Sequence, residues 1–474
     1  MSTIINYKEN TIASVNNNRV VLKTSNKWLE DDIKILHTDN DSFLIDLITR
    51  NVTTVPSTCR SVSKIGTQAF AQNVNLTEIN FPNASIIESN AFANCVNLES
   101  ARFNSVTYID NYAFESCYAL KTISFPNATG IGYEAFYRCS ALSSAHFPNV
   151  SFVSSLAFAN CSGLENISFP SCLYISSGAF QYCSALSGLD SIQLPNLISI
   201  GYEAFKNCTG LMGILLPNIS TIDSGAFSGC TSLSYLNIPN ITKIGNDVFN
   251  GCSNLTGVSS RISVPYLTEI GSRAFKDCTN FRFINAESCS KIGNQAFLNC
   301  SSLAACVMES VSTLGAQAFQ NCSALQEAIF PSVRTIQTST FANCTTLSRV
   351  IFSSATIIAQ YAFYGCTQLS GSGLVSTLTF DRVTDIGSSA FQNAGIVNIS
   401  FPSAVIFYSY AFSGCSKLSK VYLLGTSIAR NVGGTTTFPT TGNWKIYVPS
   451  MFYNSYRNST TFGWTAYASR FISQ

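Results

Sequence analysis

The cysteines are the first residues in this sequence to consider for chemistry. The chain has 18 cysteines, enough for metal sites or a disulfide framework. Fourteen keep a fixed place in a repeat, from Cys95 and Cys117 to Cys366 and Cys415. No Cys-x-x-Cys pair occurs, so the spacing typical of zinc ligands is absent. We predict small buried thiols, while a separation of about 5 Å between repeats leaves disulfides geometrically open. The cysteines outside the repeat position are Cys59, Cys172, Cys289 and Cys306.

The histidines form no catalytic constellation. The chain has two, His37 and His146, far apart in sequence and without a nucleophile or paired carboxylate implied beside them. His146 falls at a strand position that we expect to face outward. Gly433-Gly434 is not followed by Lys and Ser or Thr, as it would be in a phosphate-binding loop. We therefore predict a chain that is not an enzyme and that uses no cofactor or metal.

Asparagine recurs in the pattern Asn-x-Ser/Thr, which permits glycosylation. Examples are Asn51, Asn75, Asn207, Asn299, Asn321 and Asn343. The last four directly precede a cysteine of the repeat. We predict that they bond the backbone of a turn, as asparagine often does, because repetition accounts for the motif without any sugar.

Charge and hydropathy narrow the class of protein. Of 474 residues only 11% are charged, against about 25% in typical soluble proteins. Lys plus Arg is 27 and Asp plus Glu is 25, so no broad basic field argues for nucleic acid. The polar first ten residues predict no secretory signal, and no run of eighteen apolar residues predicts a membrane-spanning helix. We expect no membrane insertion and leave the location open between the cytoplasm, a virus particle and another export route.

A repeat of about 22 residues organises most of the chain. A phenylalanine, usually after alanine, marks sixteen units, and eleven of the fifteen spacings are 22 residues. Cysteine follows three residues later, and leucine usually follows six residues later. The marking residues are Phe70, Phe92, Phe114, Phe136, Phe158, Phe180, Phe205, Phe227, Phe249, Phe275, Phe297, Phe319, Phe341, Phe363, Phe391 and Phe412.

The residue pattern of each unit predicts a short strand, a turn and a second compact segment. In the first unit Ile79 and Phe81 alternate with Asn80, which indicates a strand with one buried face. Pro82 ends that strand. The following Ala-Phe-x-x-Cys-x-x-Leu has helical spacing but is too short for an independent helix. We predict one turn of α or 3₁₀ helix there.

Stacking is required because one unit cannot bury its own apolar face. Stacked units would share a core and form a long parallel sheet, spanning roughly 75 Å at about 4.8 Å per strand. Longer spacings near residues 187–192, 257–262 and 370–377 predict loops that bulge between the leucine and the strand.

The unit Ile-Gly-x-x-Ala-Phe-x-x-Cys-x-x-Leu-x-x-Ile-x-Phe-Pro resembles the BspA-like leucine-rich repeats. The resemblance covers about residues 55 to 424. It implies an α/β, β-rich, right-handed leucine-rich-repeat solenoid with its parallel sheet on the concave face, and a role in adhesion or ligand binding at microbial surfaces.

The two ends depart from the repeat. Residues 1–50 alternate apolar and polar types between Arg19 and Ile35 and predict a small β module, similar to short modules of phage structural proteins. We predict the repeat solenoid over 51–424 and a C-terminal cap over 425–474. In the cap, Gly433 to Thr437 is predicted as a flexible loop, Lys445 to Pro449 as the last strand, and 449–456 and 464–471 as short helices.

The exposed strand positions are the candidate site. The position between the two apolar strand residues holds a β-branched apolar residue in three consecutive units, so parallel stacking would align Val307, Ile329 and Ile351 as one stripe. An exposed apolar stripe rimmed by charge often marks an interaction site. The residues expected to flank it are Arg282, Phe283, Glu327 and Arg349.

The function that we predict is non-enzymatic binding or adhesion, with a protein or glycan as partner. Two alternatives stay open at this point. One is a phage or prophage tail-associated protein in which residues 1–50 dock to the particle and the solenoid recognises a host surface. The other is a structural spacer or assembly element.

Overall fold

The computed structural model describes residues 62–187, 192–256, 262–370, 377–403, 406–458 and 460–474, together with the backbone of five strands among residues 3–47. The chain forms two compact units, Met1–Leu233 and Ser234–Gln474. The bulging loops predicted near 187–192, 257–262 and 370–377 lie largely outside the described residues.

Each coil contains two short strands, and coils of one unit pair strand to strand in parallel. The first strand of a coil follows the repeating leucine. In the first unit these strands are Glu78–Asn80, Ser100–Arg102, Thr122–Ser124, Ser144–His146, Asn166–Ser168, Ile192–Gln193 and Gly213–Leu215. In the second unit they are Tyr235–Asn237, Ile262–Ser263, Ile284–Asn285, Ala305–Val307, Glu327–Ile329, Arg349–Ile351, Thr377–Thr379, Asn398–Ser400, Lys420–Tyr422 and Lys445–Val448.

The second strand of each coil has two residues and precedes the repeating phenylalanine. In the first unit these strands are Lys64–Ile65, Ile86–Ile87, Tyr108–Ile109, Gly130–Ile131, Phe152–Val153, Tyr174–Ile175, Ser199–Ile200 and Thr221–Ile222. In the second unit they are Lys243–Ile244, Glu269–Ile270, Lys291–Ile292, Thr313–Leu314, Thr335–Ile336, Ile357–Ile358, Asp385–Ile386, Ile406–Phe407 and Arg430–Asn431.

Alternation along the first strand is confirmed. Ile79 is fully buried while its neighbours Glu78 and Asn80 are exposed, because successive strand residues point to opposite faces. The register keeps equivalent residues side by side, as where Ile79 pairs with Ala101. One face of these strands therefore belongs to the core and the other faces solvent. The right-handed winding and the concave position of this sheet stay predictions.

The core is a stack of aromatic rings in each unit. The ring of Phe136 lies between those of Phe114 and Phe158, with centroids 5.2 and 5.1 Å away and planes within 6° of parallel. In the second unit Phe297 stacks in the same way on Phe275 and Phe319. All of these rings are fully buried. The shared core predicted from the phenylalanine spacing is present.

The helical turn predicted around each repeating phenylalanine is wrong. The residues two before and two after it have positive φ in all sixteen units, as Gln68 (57°) and Gln72 (62°) do beside Phe70. Ala69 N–H bonds to the Gly66 carbonyl at 3.1 Å, so Gln68 holds the third place of a type II turn. The Phe70 N–H then bonds the Ala91 carbonyl of the next coil at 2.7 Å. Left-handed residues turn these N–H groups away from a helix and toward the neighbouring coil.

The N-terminal segment contains the β structure predicted for it. Successive strands pair antiparallel, and the last pairs in parallel with Lys64–Ile65. The five strands are Thr3–Tyr7, Thr11–Asn16, Arg19–Thr24, Ile33–His37 and Phe43–Leu47.

The C-terminal segment packs around two buried tryptophans. The indole N–H of Trp464 bonds the Ala429 carbonyl at 2.6 Å, and Trp444 and Trp464 are both buried. The strand predicted at Lys445 is confirmed, but a further strand, Phe471–Ser473, follows it. The short helices are Ser450–Phe452 (3₁₀), Tyr453–Asn458 (α) and Thr465–Arg470 (3₁₀).

The glycine segment predicted as a flexible loop is a short 3₁₀ helix, Gly434–Thr436. The side chain of Asn431 explains the difference. Its Oδ1 accepts from the Thr437 hydroxyl at 2.5 Å and its Nδ2 donates to the Gly434 carbonyl at 3.0 Å. Two hydrogen bonds from one buried asparagine therefore hold the turn.

Candidate binding surface

The repeated thiols are structural. Every cysteine from Cys95 to Cys415 is a free buried thiol, as predicted. Most thiols of the repeat also donate to the carbonyl of the preceding coil's phenylalanine, as Cys95 Sγ does to Phe70 at 3.0 Å. Burial raises the pKa of Cys95 to about 12. A protonated thiol in an apolar surrounding is a poor nucleophile and metal ligand, so these residues do not form a reactive site.

Chemistry at metals has no support in the described part of the chain. No group of three or more His, Cys, Asp and Glu side chains there could hold an ion. His146 is exposed on its strand, as predicted, and the side chain of His37 lies outside the described residues. No helix among the described residues is long and apolar enough to cross a bilayer.

Three asparagines of the glycosylation pattern bond along the stack, and for Asn299, Asn321 and Asn343 the prediction that they bond turn backbone is wrong. Asn321 Nδ2 donates to Asn299 Oδ1 at 2.8 Å, and Asn343 Nδ2 donates to Asn321 Oδ1 at 3.0 Å. Asn299 Nδ2 donates in turn to Asp277 Oδ1 at 2.6 Å. The backbone of Asn207, Asn299, Asn321 and Asn343 is left-handed, which agrees with a turn. Coils stacked in register bring equivalent amides within reach of each other, so the amides pair along the stack.

The three predicted stripe residues lie side by side in the second unit. Val307 pairs in register with Ile329, and Ile329 pairs with Ile351, on the strands Ala305–Val307, Glu327–Ile329 and Arg349–Ile351. Ile329 and Ile351 are half-buried. We call this row of three positions the β-branched row.

Two of the residues predicted to flank the row, Glu327 and Arg349, lie on strands of the row, and Arg282 and Phe283 directly precede the neighbouring strand Ile284–Asn285. Phe283 is bridged to Ala305, and Glu327 pairs with Ala305 and with Arg349. Arg349 Nη1 lies 3.4 Å from Glu327 Oε1, with both side chains 40% exposed. A pair this exposed contributes at most about 1 kcal/mol to stability. Arg282 is exposed and Phe283 half-buried.

A cleft adjoins the β-branched row at its C-terminal end. It has a volume of about 250 Å³ and is open on one side. Val350 is half-buried beside it, although the equivalent Ala328 and Cys306 are fully buried. The cleft therefore lies next to the apolar Ile351, and Ser353, Thr379 and Asp381 give it a largely polar lining. Its walls are Val350, Ile351, Phe352, Ser353, Thr377, Leu378, Thr379 and Asp381.

Sequence reasoning missed a second apolar stripe, on the second strands of the first unit. Ile86, Tyr108, Phe152 and Tyr174 are between 38% and 47% exposed. Tyr108 pairs with Gly130, and a Cβ on Gly130 would lie 2.7 Å from the Tyr108 ring. The signal was the aromatic residue that recurs directly before the buried residue of the second strand.

The paired parallel strands, the stacked phenylalanines and the exposed strand face define a leucine-rich-repeat solenoid. Proteins of this class offer an extended surface for binding rather than an enclosed pocket. The chain belongs to the BspA-type leucine-rich repeat family, whose model matches residues 63–187, 186–304, 258–370 and 371–457.

A solved structure agrees with this fold. A leucine-rich repeat protein from Bacteroides ovatus is 24% identical over 84% of this chain and 95% of its own, with a TM-score of 0.54. A leucine-rich cell surface protein from Faecalibacterium prausnitzii is 19% identical over 92% of this chain and all of its own, with a TM-score of 0.39. No curated protein sequence matches the chain significantly.

Proposed function

We propose that this protein is a non-enzymatic binding protein, and that a protein ligand docks on the first strands of its second unit around the β-branched row. The observation that carries the proposal is the register that aligns Val307, Ile329 and Ile351. Ile329 and Ile351 are half-buried apolar residues at this position in two successive coils, and Val307 holds the same register position in the coil before them.

The residue types in the β-branched row favour contact with a ligand over permanent contact with water. Outward positions of the same strands in the first unit are Asn80, Arg102, Ser124, His146 and Ser168, which suit contact with water. Neighbouring β-branched residues add sheet propensity, but the half-buried Ile329 and Ile351 side by side also create an apolar strip. Such a strip rimmed by charge is typical of a protein contact.

The surroundings fit the anatomy of a protein interface. The Glu327–Arg349 pair and the exposed Arg282 lie at the rim, where charges steer approach and set orientation more than affinity. Phe283 and the isoleucines supply the apolar centre, where a few anchors carry most binding energy. The cleft beyond Ile351 offers a place for a partner's side chain.

The test is selection of binders from a displayed library of secreted and surface proteins with the intact chain. Affinities are then compared for Ile329→Asp, for Ile351→Asp and for the matched control Ser124→Asp, which places the same charge on an equivalent strand of the first unit. We expect the two isoleucine variants to bind at least about tenfold more weakly, a loss of about 1.4 kcal/mol, and the control to bind as the parent chain does. Circular dichroism verifies that each variant is folded.

Two outcomes would reject this site. One is a selected ligand whose affinity is the same for all four proteins. The other is an equal loss in Ser124→Asp, which would mean that added charge anywhere on the strands weakens binding.

A further inference from the structure

The C-terminal part of the second unit is a basic region without acidic residues. The chain has 25 Asp and Glu residues, and none of them lies after Asp385. Six of its 27 Lys and Arg residues do. A nearly neutral chain therefore carries a strongly asymmetric charge. The six cations are Lys417, Lys420, Arg430, Lys445, Arg457 and Arg470.

Two of these cations occupy one row of the sheet, and Arg470 lies beside that row at the end of the 3₁₀ helix Thr465–Arg470. Lys420 pairs in register with Lys445 on the neighbouring strand. Ile446 pairs with Phe471 on the next strand, which sets Arg470 beside Lys445. The Arg470 guanidinium lies 4.8 Å from the centre of the Trp444 ring and its Nη1 donates to the Trp444 carbonyl at 3.3 Å. Arg470 is thus fixed next to the strand that holds Lys445.

A row of aromatic side chains runs beside the cations. Tyr422 pairs with Tyr447, and their rings stack with centroids 5.0 Å apart. Residues two apart on a strand share a face, so Tyr422 lies on the side of Lys420, and Tyr447 on the side of Lys445. Lys420 Nζ is 5.9 Å from the centre of the Tyr447 ring. Both tyrosines are half-buried, so part of each ring faces solvent.

The proximity of Lys420, Lys445 and Arg470 lowers the stability of the folded chain. Like charges directly opposite each other in a sheet are destabilising, and none of the three cations forms an ion pair within the described residues. An anionic ligand would remove this repulsion. A ligand with flat apolar faces would in addition cover the tyrosine rings, so both rows of the surface would be used by one molecule.

We propose that the surface formed by Lys420, Lys445, Arg470, Tyr422 and Tyr447 binds a linear acidic polysaccharide. Its carboxylates or sulfates pair with the cations, and the C–H faces of its sugar rings stack on the tyrosines. Strands about 4.8 Å apart repeat at close to the length of one pyranose residue. Three cations are few for nucleic acid, whose binding depends on neutralising many phosphates. The site is separate from the β-branched row and does not depend on the proposed function there.

The test measures binding of the full chain to immobilised polygalacturonate and heparin at about 150 mM salt, where surface charges are screened beyond about 8 Å. The site variant is Lys420→Gln with Lys445→Gln. Its control, Lys417→Gln with Arg457→Gln, removes the same charge at exposed positions outside the row. We expect the site variant to bind at least one of the two polysaccharides about tenfold more weakly, and the control to change less than about twofold.

A second variant tests the aromatic row. Tyr447→Leu keeps an apolar side chain and removes the ring, and we expect a further loss of several fold. Polyglutamate and a single-stranded oligonucleotide of equal charge serve as competitors. Displacement of the polysaccharide by either at equal charge concentration would overturn the proposal, because the surface would then recognise charge alone. Equal losses in site and control variants, or no binding to either polysaccharide, would also overturn it.

Discussion

The thiol of Cys117 donates a hydrogen bond to the carbonyl oxygen of Phe92, with Sγ and the oxygen 3.1 Å apart. The same oxygen accepts the N–H of Cys95 at 3.2 Å. A side chain of one coil and the backbone of another thus meet at one atom inside the core. This link joins neighbouring coils in addition to the stacked rings.

We expect Cys117→Ala to lower the free energy of unfolding by about 1–2.5 kcal/mol. The lost hydrogen bond contributes about 0.5–1.5 kcal/mol, and the cavity adds about 1 kcal/mol. Cys117→Ser keeps a donor at this place and should lose less. Urea unfolding followed by circular dichroism measures both variants, and equal losses would contradict a role for the hydrogen bond.

The buried thiols make stability fall at high pH. Burial raises the pKa of Cys95, Cys230 and Cys415 to about 12, from an ordinary value of 9.0. Between these values the unfolded chain has lost protons that the folded chain still holds, so the free energy of unfolding decreases as pH rises from about 9 to about 12. Urea midpoints at pH 8, 10 and 11 should fall in that order.

The same burial predicts slow thiol chemistry in the native chain. At pH 8 we expect a thiol-reactive dye to label the folded protein far more slowly than the protein in denaturant, because the reactive thiolate is scarce and inaccessible. The denatured sample is the control. Rapid labelling of native Cys95 or Cys230, located by mass spectrometry, would contradict the buried position.

Substitution of Asn321 separates backbone strain from hydrogen bonding. Its φ is 63°, which costs a residue with a Cβ roughly 1–2 kcal/mol and glycine very little. Asn321→Ala and Asn321→Gly both lose the amide pairs to Asn299 and Asn343. We expect the alanine variant to be less stable than the glycine variant by roughly 1 kcal/mol. In a helix the order would be the reverse, so a more stable alanine variant would contradict the left-handed turn.

The ring stack should carry a large part of the stability. Phe136 is fully buried between two parallel rings, and we expect Phe136→Ala to cost about 3–5 kcal/mol. Phe136→Leu fills more of the space and should cost less. Tyr133→Ala in the same coil removes an exposed ring and is the matched control. Thermal unfolding of the three variants measures the difference.

Much of the fold could be read from residue spacing, and the errors share one cause. The burial of Ile79 between exposed neighbours and the register of Val307, Ile329 and Ile351 follow from period and repeat length. The helical turn at Phe70 was wrong because apolar spacing does not reveal the sign of φ at Gln68 and Gln72. Spacing shows which side chains are buried, and it does not show where each N–H group is directed.

The candidate sites divide in the same way. The β-branched row was predictable, because it needs only equal positions in equal repeats. The surface of Lys420, Lys445 and Arg470 was not, since Arg470 lies after the repeat ends and is placed beside Lys445 by the additional strand Phe471–Ser473 that directly follows it. The pairing of Asn299 with Asn321 also depends on the rotation of each side chain toward the next coil.

The amino-acid sequence by itself determined that this chain is a stack of coils, since a unit of 22 residues with one apolar face can bury it only against its neighbours. It also determined that the phenylalanines and thiols fill the interior. The tertiary structure alone decided the left-handed turns, the hydrogen bonds between coils and the rows of charge and aromatic rings on the surface. Those features arise from contacts between residues about 22 or more positions apart, and such contacts exist only once the coils are stacked.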